Sequence, residues 1–167
     1  APLGGAFGDM IAAAVRTDGV DLRAINAAPT RCNVKVVDEH GMLSEFNTSG
    51  EVLEPPNWQA CQDALEVALS PSDSSSQQEP RYLVLSGSLP PGLDVKTYAT
   101  LTESWQAQGV RVIVDASGDA LRHAYDARPW LLKPNQDELA TLGYEVHTLE
   151  QAQDAALALQ ASGIANV

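Results

Sequence analysis

Cysteine is scarce in this 167-residue chain, with Cys32 and Cys61 its only two. Two isolated thiols build neither the disulfide framework of a small secreted domain nor a zinc site, so both are expected to be reduced and structural, in a cytoplasmic protein. Basic residues are few as well: ten Lys and Arg stand against 22 Asp and Glu. The formal net charge is −12 and the pI is near 4.4. That balance excludes a broad grip on a phosphate backbone, and no nucleic acid is expected as a partner. A small anionic substrate remains open, because it needs only a local cluster of cations. No apolar run approaches the length of a membrane span and no signal-peptide pattern opens the chain, so no membrane partner is expected.

Several motifs are missing too. There is no G-x-x-x-x-G-K-[ST] loop, which disfavours a P-loop nucleotide hydrolase. No G-x-G-x-x-G follows a strand, which disfavours the usual dinucleotide route, and "LGGAFG" at residues 3–8 fits neither pattern. The "SGS" at 86–88 lacks the G-x-S-x-G frame of a nucleophile elbow. His40, His123 and His147 are scattered without metal-ligand spacing.

What the chain does have is a hydrophobic content of 44%, enough for one domain with a proper core. Residues 6–17 carry many alanines at helical spacing and predict a helix. "RCNVKVVD" and "MLSEFN" alternate like strands, with Glu39-His40-Gly41 as the hairpin turn between them. This pair is too polar for a buried central strand and is expected outside the main sheet. Residues 55–69 predict a helix opened by Pro55 and Pro56, and the serine-rich 70–80 stretch an exposed loop. From Arg81 a regular pattern sets in: "YLVLS", then a helix over Val95 to Gln108; "VRVIVD", then a helix over Ala120 to Tyr125; "PWLL", then a helix start. A further helix is predicted at 149–161, and Ile164 opens an expected fourth strand. Strands alternating with helices imply β-α-β units on a parallel sheet. Both ends have the character of cut ends, and an internal segment of a longer protein is expected.

Each of these strands ends in polar residues: Ser86-Gly87-Ser88, Asp115-Ala116-Ser117-Gly118 and Lys133-Pro134-Asn135. Parallel strands place their carboxyl ends along one edge, where open α/β sheets bind ligands. Serine, aspartate and glycine also simply make good turns there. "LLKPNQDEL" shows the same two readings in one stretch. Asn135 and Glu138 have the spacing of a capping box. A lysine, an amide and a carboxylate at a strand end could equally hold phosphate and a hydrated magnesium ion.

The motifs "VLSGSLPPG", "VIVDASGDAL" and "WLLKPNQDEL", in that order and spacing, resemble the ribokinase-like sugar kinases, in particular their phosphofructokinase branch. "TRCNVKVVDEHGMLSEFNTSG" resembles the same branch, and its "EFNTSG" ending is most similar to members acting on fructose 1-phosphate. Each motif alone is weak; four in register, spread over essentially the whole chain, are specific. The resemblance implies an α/β fold, a three-layer α/β/α sandwich with a mostly parallel sheet and a small β-lid, incomplete at both ends here. Residues 1–167 would then be a partial kinase domain, with the hairpin of about 31–50 in the lid.

The same resemblance implies transfer of the γ-phosphoryl of ATP, with Mg²⁺, to a sugar phosphate, most directly fructose 1-phosphate to fructose 1,6-bisphosphate. It places Arg31 on the sugar's phosphate, Asn33 beside it on the sugar, and Ser88 facing the substrate. Lys133 and Asn135 would lie near the ATP phosphates, and Glu138, with Asn135 in an N-x-x-E motif, would organise Mg²⁺ through water. It also admits a homodimer through the lid. Two family motifs are missing, the early G-G-K-G-x-N loop and the late G-A-G-D whose aspartate is the base. The base is therefore expected beyond Val167, no residue here is expected to be catalytic, and the chain alone is expected to be inactive. A kinase for tagatose 6-phosphate or fructose 6-phosphate, and a non-catalytic sugar-phosphate-binding module, are the alternatives.

Overall fold

The computed structural model describes residues 1–70 and 80–167. The exposed loop expected at 70–80 lies, from 71 to 79, outside the described residues. The chain divides into two compact units. One comprises Ala1–Ser70 with Pro90–Leu93; the other comprises, of the described residues, 80–89 and Asp94–Val167.

In the first unit, strand β1 (Pro2–Leu3) leads into helix α1 (Gly5–Thr17), whose alanine-rich sequence matches the expected span. Strand β2 (Ile25–Asn26) then pairs in parallel with β1. Its ladder bonds run from Ile25 N to Ala1 O (2.8 Å) and from Ala27 N to Leu3 O (3.1 Å). β2 had no sequence signal, because two residues are too few to show a periodicity. Strands β3 (Asn33–Val37) and β4 (Leu43–Asn47) form a separate antiparallel hairpin, exposed along its whole length, as its polarity predicted. Asp38 makes its turn: Oδ1 accepts from the amides of His40 (2.9 Å) and Met42 (2.8 Å). Helix α2 (Pro55–Leu69) begins on the two prolines. Just before it, Leu53 N donates to Pro91 O at 2.8 Å. Gly92, at φ +95°, passes so close that a Cβ would sit 2.9 Å from Val52 Cγ1, so glycine is required there.

In the second unit, strands β5 (Tyr82–Ser86), β6 (Arg111–Asp115) and β7 (Leu131–Leu132) form a parallel sheet in that order. Helix α3 (Thr97–Gln106) joins β5 to β6, and α4 (Gly118–Asp126) joins β6 to β7. Helices α5 (Gln136–Thr141) and α6 (Leu149–Ala161) follow. α3 is shorter than expected at its start because Asp94 makes a turn of its own, accepting the Lys96 amide at 2.7 Å and the Thr97 hydroxyl at 2.6 Å. The strand expected from Ile164 is one bridge wide, Asn166 beside Leu131, with Leu132 N donating to Asn166 O at 3.1 Å.

The central strand β6 buries Val112 and Val114 completely, and Leu121, Leu132 and Leu159 are equally buried. Each such side chain contributes about 1.5–3 kcal/mol of apolar burial. Thr102 is the buried polar residue among them, and its hydroxyl is satisfied by Tyr98 O at 2.7 Å. No helix among the described residues is long and apolar enough to cross a membrane.

Candidate functional site

The register of the parallel sheet builds the site. Ser86 pairs with Asp115, and Val114 with Leu132, so the three strands end at nearly the same level. The polar residues that follow each strand therefore emerge together. A crevice of about 250 Å³ opens there, lined by Ser86, Gly87, Ser88, Asp115, Ala116, Ser117 and Glu138. At that volume it is smaller than the pockets of about 300 Å³ upward that whole drug-sized ligands fill.

Asp115 links the strand ends. Its Oδ1 accepts from Lys133 Nζ at 3.0 Å and its Oδ2 from the Ser86 hydroxyl at 3.3 Å. The ion pair is open to solvent on the lysine side, with Lys133 67% and Asp115 36% exposed. Such a pair is weak, about 0–1 kcal/mol, and gives way readily to a stronger anionic partner of the lysine.

At the start of α5 the expected capping box is formed. Asn135 Oδ1 accepts the Glu138 amide at 2.9 Å, and Glu138 Oε2 accepts the Asn135 amide at 2.8 Å. Glu138 Oε1 accepts no hydrogen bond among the described residues, while the residue lines the crevice. The cap thus uses one carboxylate oxygen and leaves the other to the site.

Two contributors were not singled out from sequence. Asp115 was read only as part of a strand-end turn, and its place between Ser86 and Lys133 depends on pairing between distant strands. Tyr98, on α3, donates its hydroxyl towards Ser86 O and Gly87 O, both at 3.2 Å. Burial pushes its phenol above the ordinary tyrosine range, so it stays protonated as a donor.

Of the six residues expected in a site, Ser88 and Glu138 line the crevice, and Lys133 and Asn135 bond directly to residues that do. Arg31 and Asn33 belong to the other unit. There, Asn33 pairs with Asn47 at the open end of the hairpin, and Thr48 donates to Cys32 O at 3.3 Å. The Arg31 stem lies against Gly50, where a Cβ would be 3.6 Å from Arg31 Cδ. The "TRCN" and "NTSG" stretches are thereby brought side by side. Cys32 and Cys61 are free thiols, and burial raises that of Cys61 above its usual value.

A family model described as pfkB family carbohydrate kinase matches residues 1–167. The chain is 34% identical over 142 residues to the 1-phosphofructokinase of Vibrio cholerae, covering 84% of this chain and 42% of that protein. It is 44% identical over 87 residues to the D-tagatose-1-phosphate kinase of Klebsiella oxytoca, covering 52% of this chain and 29% of that one. The solved structure of phosphofructokinase-2 from Escherichia coli in complex with fructose-6-phosphate superposes with a TM-score of 0.76 at 32% identity. That superposition covers 97% of this chain and 52% of the other. The chain thus spans roughly half, or less, of the length of these relatives.

Proposed function

Since this chain belongs to the pfkB family of carbohydrate kinases, we propose that it is part of an ATP-dependent kinase that phosphorylates fructose 1-phosphate to fructose 1,6-bisphosphate. The observation that carries the reading is the crevice itself: three parallel strand ends converge on Ser88, the Lys133–Asp115 pair and Glu138. The substrate hydroxyl oxygen forms a bond to the γ-phosphorus of ATP while the bond from that phosphorus to the β–γ bridging oxygen breaks, releasing ADP. The hydroxyl proton leaves to a base that no residue of this chain is assigned to be. Phosphoryl transfer is catalysed by positioning and by neutralising charge on the phosphates. Lys133 supplies positive charge to the ATP phosphates after leaving Asp115, Asn135 stands beside it, and Ser88 faces the sugar.

Magnesium fits these donors. Glu138 would hold it through water, with the Asp115 carboxylate in the same crevice; carboxylates are hard oxygen ligands, and Mg²⁺ keeps most of its waters. Among the described residues no group of three or more His, Cys, Asp or Glu could hold a metal ion directly. When bound, the ion offsets the charge of the nucleotide phosphates.

Arg31 binds the phosphate already on the sugar, with Asn33 beside it, and the β3–β4 hairpin serves as the lid. The exposed Val34, Val36 and Phe46 on that hairpin suit a homodimer contact. The likeness to a phosphofructokinase-2 solved with fructose-6-phosphate supports a second reading, phosphorylation of that sugar, and the Klebsiella relative adds tagatose 1-phosphate.

The test is ADP release by the complete protein with Mg-ATP and each of fructose 1-phosphate, tagatose 1-phosphate, fructose 6-phosphate and tagatose 6-phosphate. kcat/KM is expected to be highest on fructose 1-phosphate, by about tenfold or more. A preference for a 6-phosphate overturns the substrate assignment, and no turnover on any leaves a binding module. In the same assay Arg31→Ala should raise the sugar-phosphate KM by about tenfold or more and leave the ATP KM nearly unchanged, since a charge-assisted phosphate contact is lost. An unmoved sugar-phosphate KM removes Arg31 from the site.

A further inference from the structure

β5 ends at Ser86, and the chain then turns through Gly87, at φ +88°, towards Ser88 and the crevice. A glycine permits this turn but also leaves it free to adopt others. Two sets of backbone hydrogen bonds are among the interactions that hold it. The Gly87 amide donates to Asp115 O at 2.8 Å, extending the sheet by one bond. From the other side, the Tyr98 hydroxyl reaches Ser86 O and Gly87 O, each at 3.2 Å. A phenol has one proton, so this is a single donor shared by two acceptors. The ring is buried in the core at the start of α3, with Leu101 and Trp105 buried further along the same helix. The hydroxyl is thus anchored on a packed element rather than on another loop, the arrangement that holds a site to sub-ångström tolerance.

We propose that Tyr98 is a positioning residue: its hydroxyl fixes the Ser86–Gly87–Ser88 turn and so sets where Ser88 meets the phosphoryl acceptor. The role rests on the kinase reading for its catalytic consequence and on hydrogen bonding alone for its structural one. Nothing in the sequence pattern separates Tyr98 from an ordinary core aromatic; only the fold brings its hydroxyl to the end of β5. Tyr98 is not among the residues lining the crevice, and it acts through the backbone carbonyls of Ser86 and Gly87.

Tyr98→Phe keeps the ring and deletes one oxygen, so the core packing is retained. In the complete protein, exchange of the Gly87 amide with deuterium should quicken about three- to tenfold, the range expected for one net hydrogen bond. kcat on the sugar phosphate should fall by a similar factor, while the ATP KM stays within about twofold, because the turn serves the acceptor side. Unchanged Gly87 exchange overturns the proposal, as does an equal loss on the ATP and sugar sides. If the wild type turns over no sugar phosphate, the kinase reading falls, while the exchange measurement still decides whether Tyr98 holds the turn.

Discussion

Glu138 closes a capping box with one carboxylate oxygen, and on the proposed reading serves a hydrated cation with the same carboxylate. Oε2 closes the capping box with the Asn135 amide, and Oε1 is left without a hydrogen bond among the described residues. Glutamine can make the same backward bond with its carbonyl oxygen but brings no charge to a hydrated cation. Glu138→Gln is therefore expected to leave the melting temperature nearly unchanged, lower kcat by about tenfold or more, and move the Mg²⁺ dependence to higher concentrations. Superimposable curves of kcat against free Mg²⁺ would leave only the cap. Glu138→Ala, by contrast, should also cost about 1 kcal/mol of stability, because the amide of Asn135 then loses its acceptor. The cap was legible in sequence because it spans four consecutive residues. The Asp115 carboxylate was not, since its partners Ser86 and Lys133 are 29 and 18 residues away.

Among the elements, the β3–β4 hairpin is the most exposed and the most dependent on its own cross-strand pairs. Lys35 stands opposite Glu45, with Nζ 2.7 Å from Oε1. The Lys35 hydrogen bond, then that of the Asn47 side chain, and then the lysine charge hold the Glu45 carboxyl below its ordinary range. A carboxyl whose folded-state pKa is depressed stabilises the folded form above its unfolded pKa and loses that contribution as pH falls through the folded value. The hairpin should accordingly loosen only in acid. Lys35→Met should return the Glu45 titration, followed by carboxyl NMR, towards the ordinary value; an unmoved titration shows that the pair does not form in solution. The helices were read well where caps and alanine content marked them, as in α6, whose observed span of Leu149–Ala161 coincides with the expected one. The two-residue strand β2 has too little length for periodicity to act, and tertiary pairing defines it, whereas β7 was read from its apolar run "PWLL".

At the scale of the whole chain, a net charge of −12 is spread over a surface whose ion pairs, such as Arg23–Asp21 at 3.7 Å and Lys35–Glu45, are exposed. Exposed pairs contribute about 0–1 kcal/mol each, and a net charge far from zero destabilises the compact state through self-repulsion. Raising ionic strength from about 0.01 M to about 0.15 M shortens the Debye length from about 30 Å to about 8 Å. The melting temperature of the chain should therefore rise with salt; a fall would mean that attractive pairs dominate. Local sequence by itself determined the alternation of strands and helices in residues 81–167, the separate polar hairpin, the helix caps and the kinds of group at each strand end, because these are encoded within a few consecutive residues. Only the tertiary structure decided which of those groups meet. Pairing Ser86 with Asp115 places a carboxylate between a serine and a lysine, and packing α3 on the sheet delivers the Tyr98 hydroxyl to the turn after β5. Periodicity shows which face a side chain takes but not which neighbour it finds, since register is set by contacts between segments far apart in the chain.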